Sequence, residues 1–124
     1  REFQVSYLFV AHDLAVVKHI SHRVAVMYLG RIVELSDAGT LYSAPKHPYT
    51  QALLDSVPKL SLDGNIGVTF QPIRGELPSP LSPPSGCAFH PRCFKATELC
   101  ARERPHLQPS SSGGAVACHL FISK

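Results

Sequence analysis

Short apolar runs alternate with helix-like patterns over residues 1–57 and then give way to a proline-rich, loop-like stretch. Ser6-Tyr7-Leu8-Phe9-Val10-Ala11 is aromatic and aliphatic with no polar alternation, the pattern of a strand covered on both faces in a parallel sheet. Asp13 follows as a helix N-cap, and Leu14, Val16, Val17 and Ile20 give the next segment one apolar face. Arg23 to Leu29 and Arg31 to Leu35 are two β-prone runs joined at Leu29-Gly30, which predicts a hairpin or a bulged strand pair. Asp37 and Thr40-Leu41-Tyr42 predict one or two further helical turns. His47 opens another helix with Pro48 in its first turn, where a missing amide proton costs little, and that helix is expected to end near Pro58.

Nine of the eleven prolines lie from Pro58 onward, so the character of the chain changes there. Ser61 to Gly67 reads as a polar loop and Val68-Thr69-Phe70 as a short strand. Pro78-Ser79-Pro80-Leu81-Ser82-Pro83-Pro84-Ser85 cannot supply the backbone donors of a helix or central strand and is expected to be extended. Residues 86–124 carry few large apolar side chains, and a segment of roughly 40 residues so composed does not order itself without a staple. A short helix around Ala96 to Ala101 and a strand from Ala115 to Phe121 complete the expected elements. Three regions follow: 1–57, a connection at 58–85, and 86–124.

The staple is visible in the cysteines. The chain has four, Cys87, Cys93, Cys100 and Cys118, spaced C-x5-C-x6-C-x17-C. Clustered thiols in a reducing compartment are more often metal ligands than disulfides. Structural zinc sites usually show paired knuckles with two to four residues between ligands, which these gaps match poorly. A 4Fe–4S cube sets its four cysteine ligands further apart, and longer irregular loops wrap it. Zinc and a pair of disulfides stay open as alternatives. His90 and His119 lie next to cysteines as alternative ligands or as hydrogen-bond partners of sulfur or backbone, while Arg92, Lys95, Arg102 and Arg104 offset thiolate charge.

A formal net charge of +3, with seven histidines besides, is too small and too dispersed for a nucleic-acid footprint. No apolar run approaches the roughly 20 residues that span a bilayer, and no secretory signal pattern is present, so a cytosolic chain that reaches a membrane only through a partner is expected. The start at Arg1-Glu2-Phe3 has the look of the last turn of a helix that began earlier, as though the chain were the tail of something larger.

Four motifs carry a specific resemblance. They are Phe9-Val10-Ala11-His12-Asp13-Leu14-Ala15-Val16-Val17, the run from Val24 to Glu34, His47-Pro48-Tyr49-Thr50, and Gly75-Glu76-Leu77-Pro78-Ser79-Pro80. In that order they resemble the C-terminal part of the ATP-binding subunit of a dipeptide/oligopeptide ABC importer. Gly86-Cys87 through Cys93 and Val116-Ala117-Cys118-His119-Leu120 are similar to that family's C-terminal extension, with Phe94 where the family usually has proline. The implied architecture is α/β: the last strand-helix units of an ABC nucleotide-binding domain, followed by a small, loop-rich, metal-stapled C-terminal extension. The resemblance implies a 4Fe–4S cluster held by Cys87, Cys93, Cys100 and Cys118, and a γ-phosphate contact for His12, which follows a predicted strand where open α/β sheets place their ligands.

No G-x-x-x-x-G-K-[ST] loop, ABC signature or acidic Walker B strand occurs in these 124 residues. ATP and Mg²⁺ therefore belong to the parent subunit, and the chain alone is not expected to hydrolyse ATP. The implied partners are a second ATP-binding subunit and transmembrane permease subunits, with the whole lying on the inner face of the cell membrane. The extension is expected to act as a structural and dimer-contact module. The competing function is a free-standing iron–sulfur or zinc module for redox sensing or protein interaction. His19 and His22 read as solvated, Arg23, Arg31 and Glu34 as surface charges, His47 as structural, and Ser110 to Ser112 with Gly113-Gly114 as a flexible tip.

Overall fold

The computed structural model describes residues 5–11, 14–56, 59–60, 68–69, 73, 75–111 and 113–121. His12 and Asp13 fall outside these residues, as does the predicted loop at 61–67. Residues 5–11 run without helix or strand and are exposed, Leu8 and Val10 each to 94%. The apolar strand expected there differs for a simple reason: no described strand lies beside it.

Helix α1 (Leu14–Ile20) follows as predicted. It rests on its neighbour through Val17, which packs on the core, and through the Leu14 carbonyl, which accepts a hydrogen bond from Tyr42 Oη at 2.5 Å. His19 and His22 are exposed, in keeping with solvated residues.

Strands β1 (Arg23–Tyr28) and β2 (Arg31–Asp37) form the predicted antiparallel hairpin. Leu29 and Gly30 both have positive φ, 48° and 78°; such a two-residue turn matches the right-handed twist of the strands it joins. β1 alternates strictly, with Val24, Val26 and Tyr28 inward. β2 does not, because the register shifts between Val26 and Met27: Val26 faces Glu34 while Met27 faces Ile32. Val33 is the extra residue of a bulge, and a bulge re-aims the side chains beside it. Val33 and Glu34 are consequently buried side by side.

Glu34 is therefore no surface charge. It is 3% exposed, and its Oε1 accepts the Lys46 backbone N–H at 2.6 Å and that of His47 at 3.3 Å. These bonds fix the chain where it enters α3 (Pro48–Asp55). The preceding helix α2 (Ala38–Ser43) is capped by Asp37, whose Oδ2 accepts the Thr40 N–H at 2.9 Å. That bond holds the Asp37 carboxyl below its usual range.

Beyond α3, strands β3 (Lys59–Leu60) and β4 (Val68–Thr69) pair antiparallel as a separate two-stranded sheet. Residues 75–85 contain neither helix nor strand, as the prolines predict, but the expected extended run is broken by a turn in which the Ser82 N–H donates to the Ser79 carbonyl at 3.1 Å. The remaining elements are a 3-10 turn (His90–Arg92), α4 (Glu98–Arg102), β5 (Gln108–Pro109), β6 (Ala115–Val116) and a second 3-10 turn (His119–Phe121). The strand predicted to run from Ala115 to Phe121 stops at Val116, because the chain turns at Cys118 with the Phe121 N–H donating to its carbonyl at 3.1 Å.

The sheet order β1-β2-β6-β5 places a strand from the cysteine region directly against the hairpin. Glu34 faces Val116 and Leu35 faces Ala115, and the Val33 carbonyl freed by the bulge accepts the Ala117 N–H at 2.8 Å. Packing makes the same connection. Phe89 is 1% exposed, set edge-on to Tyr28 with ring centres 5.3 Å apart and tilted against Tyr49 at 5.3 Å. Tyr28 and Tyr49 themselves stand 4.7 Å apart. Each such pair contributes about 0.5–1.5 kcal/mol beyond the area it buries. Phe89→Ala is expected to cost about 3–5 kcal/mol, against no more than about 0.5 kcal/mol for Phe94→Ala, since Phe94 is 69% exposed. Urea titration read at the β1 and β2 amides compares the two; equal effects would contradict the packing account.

Candidate metal centre

Each cysteine reaches its position through a local device. Gly86 has φ +67°, and a Cβ there would overlap the Cys100 carbonyl oxygen. Only glycine lets the two segments approach so closely. The result is a Cys87 N–H to Cys100 carbonyl hydrogen bond of 2.7 Å, reinforced by Ser85 Oγ donating to the Ala101 carbonyl at 2.9 Å. The chain then folds back over Cys87: the His90 N–H donates to the Cys87 carbonyl at 3.0 Å, and His90 Nδ1 contacts the same oxygen at 2.8 Å. The Cys93 N–H donates to the His90 carbonyl at 3.3 Å, closing the turn that presents Cys93. Cys100 comes from α4, and Cys118 follows Ala117, the residue held by Val33.

All four side chains line one cavity of about 310 Å³, counted out to its open mouth, whose enclosed part has room for about one water. Cys100 and Cys118 are buried, Cys87 and Cys93 half-buried, and all four are free thiols, so the disulfide alternative is not what the structure holds. Each sulfur has a polar donor close by. Lys95 N–H donates to Cys93 Sγ at 3.4 Å, Thr97 Oγ1 lies 3.3 Å from Cys100 Sγ, the Phe89 and His90 amides address Cys87, and the Leu120 amide addresses Cys118. Backbone and hydroxyl donors to sulfur tune metal-bound thiolates.

Burial disfavours the thiolate form of Cys87, Cys93 and Cys118. It is the main cause that raises Cys87 and Cys93, and it pushes Cys118 up to about 11, the neighbouring cysteines adding to the effect. A metal bound there would offset that effect, because a coordinating thiol is deprotonated by its metal. Among the described residues no group of three or more His, Cys, Asp or Glu side chains is arranged to hold a metal ion. The four thiols share one cavity with donors beside each sulfur, but the metal staple expected from the sequence is not itself seen among the described residues.

The remaining sequence expectations divide plainly. His119 turns away from the role of ligand, its Nε2 lying 2.7 Å from the Glu103 carbonyl. Lys95 is at the cavity wall; the Arg92 guanidinium instead lies 3.5 Å from Tyr28 Oη. Ser110 is tied down rather than a loose tip, accepting from Lys46 Nζ at 2.6 Å and donating to the Gly113 carbonyl at 3.0 Å. His47 forms part of the cavity wall at 1% exposure. Burial drives its imidazole down to about 4. The conspicuous His-Pro-Tyr run was its signal in the sequence, yet nothing in that run said which site it would face.

Comparison with known proteins gives the family. Residues 33–100 match the family described as oligopeptide/dipeptide transporter, C-terminal region. The chain belongs to this family. Among individual proteins it is similar to a probable peptide ABC transporter ATP-binding protein, y4tS, of Sinorhizobium fredii, at 53% identity over 120 residues, 97% of this chain and 33% of that protein. The oligopeptide transport ATP-binding protein AppF of Bacillus subtilis is 49% identical over 120 residues, 97% of this chain and 36% of the relative. The dipeptide transport ATP-binding protein DppF of Haemophilus influenzae is 50% identical over 117 residues, 94% and 35% of the two chains. The chain thus spans about a third of the length of the curated relatives it matches. The family match begins within β2 and ends at Cys100, so it covers the bulge, the His-Pro-Tyr helix and three of the four cysteines. No helix among the described residues is long and apolar enough to cross a membrane.

Proposed function

We propose that this chain is the C-terminal part of the ATP-binding subunit of an importer of dipeptides or oligopeptides. The single observation that carries this reading is the family match together with relatives of about half identity, each described as a peptide, oligopeptide or dipeptide transport ATP-binding protein. In the parent subunit ATP and Mg²⁺ bind mainly to the part that precedes these residues. A second ATP-binding subunit and transmembrane permease subunits are the partners, and the assembly works at the inner face of the cell membrane. Nucleic acid has no place in it, and membrane contact comes through the permease. A free-standing redox or interaction module fits the family less well, since the match runs from β2 through α3 as well as over three of the cysteines.

His12 is assigned to the γ-phosphate, where it helps place the attacking water. Phosphoryl transfer depends on such placement and on charge stabilisation. His12→Ala in the full importer is expected to leave nucleotide affinity within a few-fold while lowering peptide-stimulated ATP turnover by a hundredfold or more, roughly the effect of losing one preorganised donor. Unchanged turnover would remove His12 from the reaction.

Cys87, Cys93, Cys100 and Cys118 are assigned as ligands of one 4Fe–4S cluster. The shared cavity and the donors to each sulfur support a thiolate-held group, and the C-x5-C-x6-C-x17-C gaps favour a cluster over zinc. When bound, the cluster supplies a crosslink between loops and a centre able to take up one electron. The chain's own part is to hold four deprotonated sulfurs, keep bulk water out with Phe89 and Pro48, and anchor the fourth ligand to β2 through Ala117. Subunit prepared without oxygen is expected to contain about four iron and four sulfide, and Cys100→Ser to lose both. One zinc per chain and no iron would overturn the assignment.

A further inference from the structure

His47 presents an unusual combination of atoms. Its Nδ1 accepts the Tyr49 N–H at 3.0 Å and so caps α3. A neutral imidazole that accepts at one nitrogen carries its proton on the other, which places the proton on Nε2. That nitrogen is buried and has no hydrogen-bond partner. The Ala117 backbone favours the protonated ring without meeting the geometry of a hydrogen bond to Nε2. A buried donor left unpaired keeps the full cost of losing its water.

The ring has no cheap way to escape that cost. Turning it would sacrifice the cap, and the backbone is pinned because the His47 N–H donates to Glu34 Oε1 at 3.3 Å. Phe89 lies against it with ring centres 6.0 Å apart. His47 also lines the cavity that all four cysteines line. A stranded N–H donor at the edge of a cavity walled by sulfur is poised for an acceptor that arrives only with the occupant.

We propose that His47 Nε2–H donates a hydrogen bond to sulfur of the cluster held by Cys87, Cys93, Cys100 and Cys118, and is the positioning residue through which α3 sets the reduction potential of that cluster. This rests on the cluster assignment above. The physical logic is direct: a donor to sulfur stabilises the more negative, reduced state, so its removal makes reduction harder. It also gives the His-Pro-Tyr run a role: Pro48 starts α3, the Tyr49 amide orients the imidazole, and Glu34 fixes its backbone.

The test separates the cap from the donor. Asparagine is a strong N-cap, so His47→Asn retains an acceptor for the first turn of α3 while its short side chain withdraws the donor from the cavity. In the anaerobic full-length subunit, iron and sulfide are counted first; a wild type with neither overturns the cluster assignment and this proposal together. With iron and sulfide present in both proteins, His47→Asn is expected to raise the iron–cysteine stretching frequencies in resonance Raman spectra of the oxidised cluster. It is also expected to shift the oxidised-to-reduced equilibrium three- to tenfold toward oxidised, roughly 28 to 59 mV for one electron. Wild-type frequencies and potential in a loaded His47→Asn subunit overturn the proposal and leave the cluster standing. If the variant does not load, wild type labelled with ¹⁵N-histidine decides, with His90→Gln and His119→Gln for assignment. A slowly exchanging Nε2–H resonance displaced by the cluster supports the bond, and its absence overturns it.

Discussion

The rest of the structure depends on one hydrogen bond, from the Ala117 N–H to the Val33 carbonyl at 2.8 Å. It exists because β2 carries a bulge at Val33, which frees a carbonyl that an unbroken ladder with β1 would have used differently. Through this bond the strand before Cys118 becomes part of the β1–β2 sheet, and the fourth thiol is aimed at the other three. Phe89 makes a parallel connection from the Cys87–Cys93 turn into Tyr28 and Tyr49. The cysteine segment, too poor in apolar residues to build a core of its own, borrows the core of the hairpin.

A second consequence of the bulge is electrostatic. It turns Glu34 inward, where a carboxylate must find donors or cost several kcal/mol. The amides of Lys46 and His47 serve as those donors. The acid thereby organises the entry to α3, and α3 brings His47 to the cavity. Sheet irregularity, buried acid, helix cap and cavity wall form one chain of causes, in which Glu34 acts on the thiol site without touching it.

Much of this was legible in the sequence and some was not, for reasons that differ by element. The hairpin, α1, α2 and α3 were legible because periodicity, Asp37 and Pro48 act locally. The four cysteines were legible as a set because no others compete, and the ordered motifs pointed to a family that the match to residues 33–100 bears out. Glu34 was misread as a surface charge because a bulge shifts the inward face by one residue, and no local pattern announces that shift. Ser6 to Ala11 reads as a buried strand since apolar composition reports what a segment would bury, and does not supply the neighbours that would cover it. The β2–β6 pairing spans some 80 residues of sequence, beyond the reach of periodicity.

The central claim is that the hairpin and the cysteine segment open and close as one unit, and native-state hydrogen exchange tests it most directly. The account predicts that the amides of Leu35 in β2, Val26 in β1, Cys87 and Ala117 exchange through a common opening with the same free energy and the same dependence on urea. It would be contradicted if Cys87 and Ala117 exchanged through a separate, lower-energy opening while the β1–β2 amides kept their protection.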